Sequence, residues 1–166
     1  MKKSEKKIPV QVSKGAVSVP ERLRVMNRKQ QHAVLATDAR GQPYTSLVAY
    51  ALTPDGTGIL FATPRATRKY GNILSNNRVS LLIDTRSNTD RAYLGAESVT
   101  ILGNAHRVKR GAKRDALAEI FIRKHPRLAE FVRFRGTALI YVEILHAIHV
   151  AQFQSVSEWH KDTIRS

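Results

Sequence analysis

Between Ala33 and Ala62 three short apolar stretches are separated by two clusters of turn-forming residues, and this spacing restricts the possible folds more than any other feature. Ala33 to Thr37 and Tyr44 to Leu52 flank Asp38-Ala39-Arg40-Gly41-Gln42-Pro43, and Thr53-Pro54-Asp55-Gly56-Thr57-Gly58 leads into Ile59 to Ala62. Glycine, proline and aspartate at such positions mark tight turns. Connections this short cannot hold the crossover that parallel strands need, so the three runs are expected to form an antiparallel meander. Arg78 to Asp84, Ser98 to Val108, Thr137 to Leu145 and Ala147 to Gln154 read as four further strands. The pattern predicts a mainly β fold with α: an antiparallel, Greek-key-like barrel of six to seven strands with peripheral helices.

Two helices frame these strands. Pro20 to Gln31 opens on proline, carries Glu21 in its first turn and ends on Arg28 and Lys29, the charge order that suits a helix dipole. Gly111 to Lys124 is amphipathic, with Ala116, Leu117, Ile120 and Phe121 assigned to the apolar face and Arg114, Asp115, Glu119 and Arg123 opposite; Pro126 interrupts it. Residues 1–19 read as a flexible basic leader, with Lys2, Lys3, Lys6 and Lys7 at its start, and residues 20–166 as a single domain.

The most informative chemistry lies at the end of the third run. Thr63-Pro64 stops the strand, because proline has no amide hydrogen for a ladder, and from Thr67 the pattern turns helical through Tyr70, Ile73 and Leu74. Two hydroxyls (Thr63, Thr67) and three cations (Arg65, Arg68, Lys69) therefore gather where a strand hands over to a helix. Free amides at a helix N-terminus attract phosphate, which arginine grips bidentately and lysine holds as a point charge. A threonine N-cap with solvated cations uses the same residue types, so both readings stand at this level.

Composition narrows the function classes. The formal net charge of +15 and pI near 10.7 suit nucleic acid, an anionic surface or an anionic ligand, but the charge is dispersed and the aromatic residues form no ladder interleaved with it. Specific nucleic-acid binding is not expected. The absence of cysteine excludes disulfide and thiolate chemistry, and no apolar run reaches a membrane span, so a cytoplasmic protein is expected. The spacing of His106, His125, His146, His149 and His160 supplies no ligand set, and no metal is expected.

Thr63-x-x-x-Thr67-Arg68-Lys69 resembles the Thr-x-x-x-Ser-Arg-Lys motif of the pyridoxamine 5′-phosphate oxidase-like, FMN-binding split-barrel proteins, with threonine in place of serine at 67. The order of elements from about residue 20 to 160 is similar to that family, as are Leu35-Ala36-Thr37 followed by Gly41-x-Pro43. Phe121-Ile122-Arg123-Lys124-His125-Pro126 resembles the haem-utilisation branch of the same superfamily.

The resemblance implies a split barrel, FMN as cofactor, and a homodimer holding the cofactor between subunits. It assigns the phosphate to Thr63, Thr67, Arg68 and Lys69, and the flavin ring to the strand carrying Thr45, Ser46, Leu47 and Val48, partly through main-chain groups. Ser98 falls where the partner subunit reaches the cofactor, and Trp159 resembles a family tryptophan that approaches the flavin. The activity implied is that of an oxidoreductase with a small-molecule substrate. Ser46 and Ala51 stand where pyridoxamine phosphate oxidases proper carry Arg and Lys, and Ile164-Arg165-Ser166 does not supply their terminal Arg-x-His, which argues against a vitamin B6 substrate. Haem binding or breakdown, and a deazaflavin in place of FMN, are the alternatives. A non-enzymatic basic module that binds nucleic acid or anionic surfaces is a further one.

Overall fold

The computed structural model describes residues 11–12, 18–87, 95–151 and 155–161. Strands β2 (His32–Ala39), β3 (Gln42–Leu52) and β4 (Gly58–Pro64) form the expected antiparallel meander. Its first turn is a two-residue hairpin in which Arg40 and Gly41 both take positive φ, 55° and 79°, the twist that matches paired strands. Asp38 Oδ1 braces that turn by accepting from the Gly41 amide. In the second turn Asp55 accepts from Thr53 Oγ1 and from the Thr57 amide and hydroxyl, and these bonds lower its pKa.

The remaining strands are β5 (Arg78–Asp84), β6 (Ser98–Arg107), β7 (Thr137–Ala151) and β8 (Ser155–His160), with a two-residue β1 (Gln11–Val12) running parallel to β8. The sheet order is β1-β8-β7-β4-β3-β2-β5-β6, and an added β6–β7 pairing closes β2 to β7 into a six-stranded barrel. Leu35, Tyr50, Ile59, Phe61, Leu81, Ile83, Ile101 and Ile140 fill it. Helix α1 (Val19–Lys29) adds Val19, Leu23 and Met26 to the same core.

A second core lies outside the barrel. Helices α3 (Ala112–Lys124) and α4 (Ala129–Arg133) pack Ala118, Phe121 and Val132 onto Ala51, Leu60 and Leu139. They cover the outer face of β3, β4 and β7 at one end. Among the described residues no helix is long and apolar enough to cross a membrane.

Two expectations need correction, and a third lies largely outside the described residues. Thr137 to Gln154 is not two strands: β7 runs unbroken to Ala151, and the register shift opposite Leu102 and Gly103 leaves Leu145 as an extra residue. Alternation changes phase at such a bulge, which from sequence looks like a strand ending. Arg114 is buried and donates from Nη2 to the Val132 carbonyl at 2.7 Å, so the inner face of α3 is rotated towards Arg114, Ala118 and Phe121. The leader of residues 1–19 lies outside the described residues except for Gln11–Val12 in β1, the capping Ser18 and Val19, which begins α1.

Polar ties fix the helices. Arg22 and His149 both bind Glu97, joining α1, the start of β6 and β7; burial opposes the Glu97 charge, but the bonds from His149 and Arg22 outweigh it and lower its pKa. Lys124 at the end of α3 donates to Asn27 Oδ1 at 2.9 Å and to the Gln30 carbonyl at 2.8 Å, and its Nζ lies 3.7 Å from the centre of the Tyr50 ring. Burial pushes its pKa down to about 7. A depressed ammonium penalises the fold fully below that value, and the penalty fades as pH rises towards the usual lysine range. The stability of the native protein relative to a Lys124→Met variant should therefore rise between pH 7 and pH 10 in urea titrations; a gap independent of pH would show that Lys124 titrates normally.

Candidate functional site at the β3–β4 split

The ladder between β3 and β4 covers only three pairs, Tyr50–Phe61, Ala51–Leu60 and Leu52–Ile59. Beyond Tyr50 the two strands part. Residues 42–49 of β3 pair with β2 on one edge only. Main-chain groups of alternate residues face opposite edges of a strand. The Tyr50 amide donates to the Gln31 carbonyl on the β2 side, so Thr45, Leu47 and Ala49 turn their amides and carbonyls towards the gap.

Thr63 to Lys69 stands where β4 leaves the ladder. Thr63 Oγ1 lies 2.9 Å from Thr67 Oγ1, and Thr67 Oγ1 donates to the Pro64 carbonyl at 2.9 Å. Thr67 is the N-cap residue of α2 (Arg68–Ser75), yet its side chain makes no capping bond to the helix. The first amides of α2 are left without a side-chain cap. Arg68 and Lys69 follow in the first turn, and the Arg68 guanidinium sits 4.9 Å from the centre of the Tyr44 ring. That contact brings the corner against β3 beside Thr45.

A buried polar chain holds the corner in place. Asn72 Nδ2 donates to Thr37 Oγ1 at 3.0 Å, and Thr37 Oγ1 donates to the Tyr44 carbonyl at 3.4 Å. Asn76 Nδ2 reaches Asp38 Oδ1 from the end of the same helix. Sequence reading singled out neither asparagine; the available signal was Asn72 beside Ile73 on an otherwise apolar helix face.

The four β3 residues expected at the flavin divide between two faces. Thr45 and Leu47 point outwards, and Leu47 is 65% exposed. Ser46 and Val48 point into the barrel opposite Leu35 and Ala33, and the Ser46 hydroxyl is buried without a hydrogen-bond partner among the described residues. Strand alternation forbids all four side chains from sharing one ligand, although their main chains line one edge. Ser98 opens β6 opposite Asp84 and Val150, separated from β3 in the sheet by β2 and β5. Trp159 packs on the core beside Val19, Leu23 and Ala147. Within one chain, Thr63 meets Thr67 and Arg68 reaches β3 at Tyr44, next to Thr45, while Ser98 and Trp159 lie on other strands.

The outer surface of the barrel carries two rows fixed by register. Thr45, Ala36, Ser80, Leu102, His146 and His160 form one row, and Leu47, Val34, Leu82, Thr100, Ile148 and Glu158 the other. Among the described residues no helix covers them as α3 and α4 cover Leu60 and Leu139. Elsewhere, a cleft of about 1070 Å³ between β6 and α3 is lined by Arg107, Lys109, Arg110 and Lys113 over an apolar floor of Leu117 and Ile120. It contains none of the corner residues.

Residues 19–151 match the family described as pyridoxamine 5′-phosphate oxidase. The chain belongs to the pyridoxamine 5′-phosphate oxidase-like family. No curated protein matches the sequence. Among solved structures, a haem-binding protein from Mycobacterium smegmatis aligns with TM-score 0.77 at 18% identity, over 88% of this chain and 59% of that one. This chain thus spans about three fifths of that relative's length. An FAD-binding protein from Mesorhizobium loti aligns with TM-score 0.62 at 18% identity, over 80% of this chain and 92% of that one. HutZ, the haem storage protein of Vibrio cholerae, aligns with TM-score 0.61 at 16% identity, over 77% and 91%. At these identities the likeness is one of fold.

Removing the Asn72 amide takes away the bond that seats α2 on β2. Asn72→Ala should destabilise the protein by about 1–3 kcal/mol in urea unfolding, the usual cost of leaving a buried polar partner unsatisfied. Hydrogen exchange should show the loss of protection concentrated in α2; unchanged protection there would mean that the helix is held by its apolar face alone.

Proposed function

We propose that the chain is an FMN-binding flavoprotein and an oxidoreductase acting on a small substrate, with the phosphate at Thr63, Thr67, Arg68 and Lys69 and the ring along the open edge of β3. The observation that carries this reading is the uncapped N-terminus of α2 meeting the unpaired β3 edge through Arg68 and Tyr44. The residues suit the cofactor. A phosphate takes the free amides and both cations. A flavin ring offers alternating donors and acceptors to the main-chain groups of Thr45, Leu47 and Ala49. When bound, FMN supplies the hydride or electron transfer, and the protein supplies orientation and electrostatics.

Haem is the second reading, favoured by the haem-binding structures of the same fold. A porphyrin edge offers only its two propionates, which accept but do not donate, so the alternating amides and carbonyls of the β3 edge suit flavin better. Nothing at the corner separates FMN from a deazaflavin with the same phosphate.

Purified protein mixed with FMN and desalted should retain about one flavin per chain by absorbance. Arg68→Ala and Lys69→Ala should each weaken FMN by about 1.5–3 kcal/mol, the range for lost charge-assisted contacts. Full affinity in the double variant would remove the phosphate from this corner, and a Soret band on adding haemin without flavin retention would favour haem.

The reading includes a homodimer with the cofactor between subunits. Support comes from the uncovered rows around Leu47, Leu82 and Ile148, where Leu102 and Leu145 are 41% and 38% exposed. An apolar face of this kind on a β-barrel is suited to association. Leu102→Asp should convert a dimer to a monomer in light scattering and lower FMN affinity with it. A native protein that is monomeric at micromolar concentration would sink this part of the reading.

A further inference from the structure

Antiparallel pairing sets His146 of β7 directly opposite His160 of β8, while Glu158 precedes His160 by two residues and so shares its face. The two imidazoles stack with centroids 3.8 Å apart and planes 19° apart. Glu158 Oε2 lies 3.3 Å from His146 Nε2 and 3.4 Å from His160 Nε2. We propose that His146, Glu158 and His160 form a binding site for a divalent transition-metal ion, with zinc and cobalt as the class it fits.

Four observations support it. The potential ligand atoms of the three residues all lie within 4.8 Å of one another. The donors are two imidazole nitrogens and a carboxylate, a set that favours zinc, cobalt or iron over magnesium or calcium. His146 Nε2 is buried and makes no hydrogen bond among the described residues, its 3.3 Å contact with Glu158 Oε2 lacking hydrogen-bond geometry. A buried ring nitrogen left unpaired costs free energy that a metal bond would offset.

Exposure at the right residues is the fourth. Around a tetrahedral ion with bonds of about 2.1 Å, ligand atoms sit roughly 3.4 Å apart, so the cluster must contract modestly. His146 is largely held by the sheet, whereas the side chains of His160 and Glu158 are 65% and 46% exposed and can swing inwards. Three protein ligands leave a coordination position open to water or another donor. The site lies at the end of the outer row that starts at Thr45, with β2, β5 and β6 between β3 and the β7–β8 pair, and it shares no residue with the phosphate corner.

The test uses the full chain, free of any purification tag and stripped by a chelator. Titration with Co²⁺ should give visible d–d bands that saturate at one ion per chain and are displaced by Zn²⁺. His146→Ala, His160→Ala and Glu158→Gln should each weaken Co²⁺ binding at least about tenfold, the lower bound for losing even an outer partner of a metal ligand. His160→Asn keeps the strand's shape and guards against a folding artefact, and His106→Ala should bind as the native protein does. No saturable binding, or equal binding by every variant, would overturn the site and leave a carboxylate between two packed imidazoles. The readout contains no flavin, so it stands or falls separately from the FMN reading.

Discussion

Strand β7 has partners on both edges, and the closure of the barrel depends on it. One edge pairs with β6 over most of its length; the other pairs first with β4, up to Glu143, and then with β8 from His146. The handover occurs at the bulge at Leu145. Closure there is tight: a Cβ on Gly103 would lie 2.2 Å from the Glu143 carbonyl oxygen, so β6 can approach only as glycine. The bulge also sets the chemistry downstream. Ala138, Ile140, Val142 and Ile144 face the core, and without the extra residue His146 and Ile148 would follow them inwards. With it, His149 turns in to meet Glu97 and His146 turns out to meet His160. A single inserted residue decides which histidine is a buried ion-pair partner and which is available as a ligand.

The helices complete the barrel unevenly, and the unevenness creates the site. α1 packs on one end through Val19, Leu23 and Met26, and α3 with α4 covers Ala51, Leu60 and Leu139. α2 is smaller and docks on β2, where Asn72 and Thr37 hold it by a buried hydrogen bond. None of these elements fills the gap between β3 and β4. The gap persists because the strands diverge after Tyr50, and α2 places its N-terminus at the mouth. A cofactor bound there would meet elements already fixed by packing, with little ordering cost to offset affinity.

Most of the architecture was legible because its signals are local. The turns at Gly41 and Gly56, the proline after Thr63 and the apolar alternation of β2 to β5 each act over a few residues, and the meander and the corner follow from them. What stayed hidden depends on pairing between distant residues. The bulge at Leu145 is set by Gly103 across the sheet, the seat of α2 by Thr37, and the histidine cluster by a register that joins residues 146 and 160. Arg114 was misplaced for a related reason: its charge suggests solvent, but the Val132 carbonyl gives the guanidinium a buried partner. On β3, the family resemblance pointed to a strand without separating its faces, and only the alternation seen in the sheet divides Thr45 and Leu47 from Ser46 and Val48.

Whether the Thr63–Lys69 corner is an anion site or a capped helix turns on one hydroxyl. A capping threonine accepts from the second or third amide of its helix, and the helix then has less to offer a ligand. Here Thr67 Oγ1 donates to the Pro64 carbonyl, pairs with Thr63 Oγ1 and makes no bond into α2. Bracing uses the hydroxyl hydrogen and capping would use a lone pair, so one need not exclude the other; here the hydroxyl braces the turn and does not cap. No acidic residue occupies the first turn to neutralise the helix dipole, and Arg68 and Lys69 add like charge there instead. Two cations at the positive end of a helix are unfavourable unless an anion joins them. The arrangement costs stability in the free chain, a cost that the phosphate of the proposed cofactor would offset.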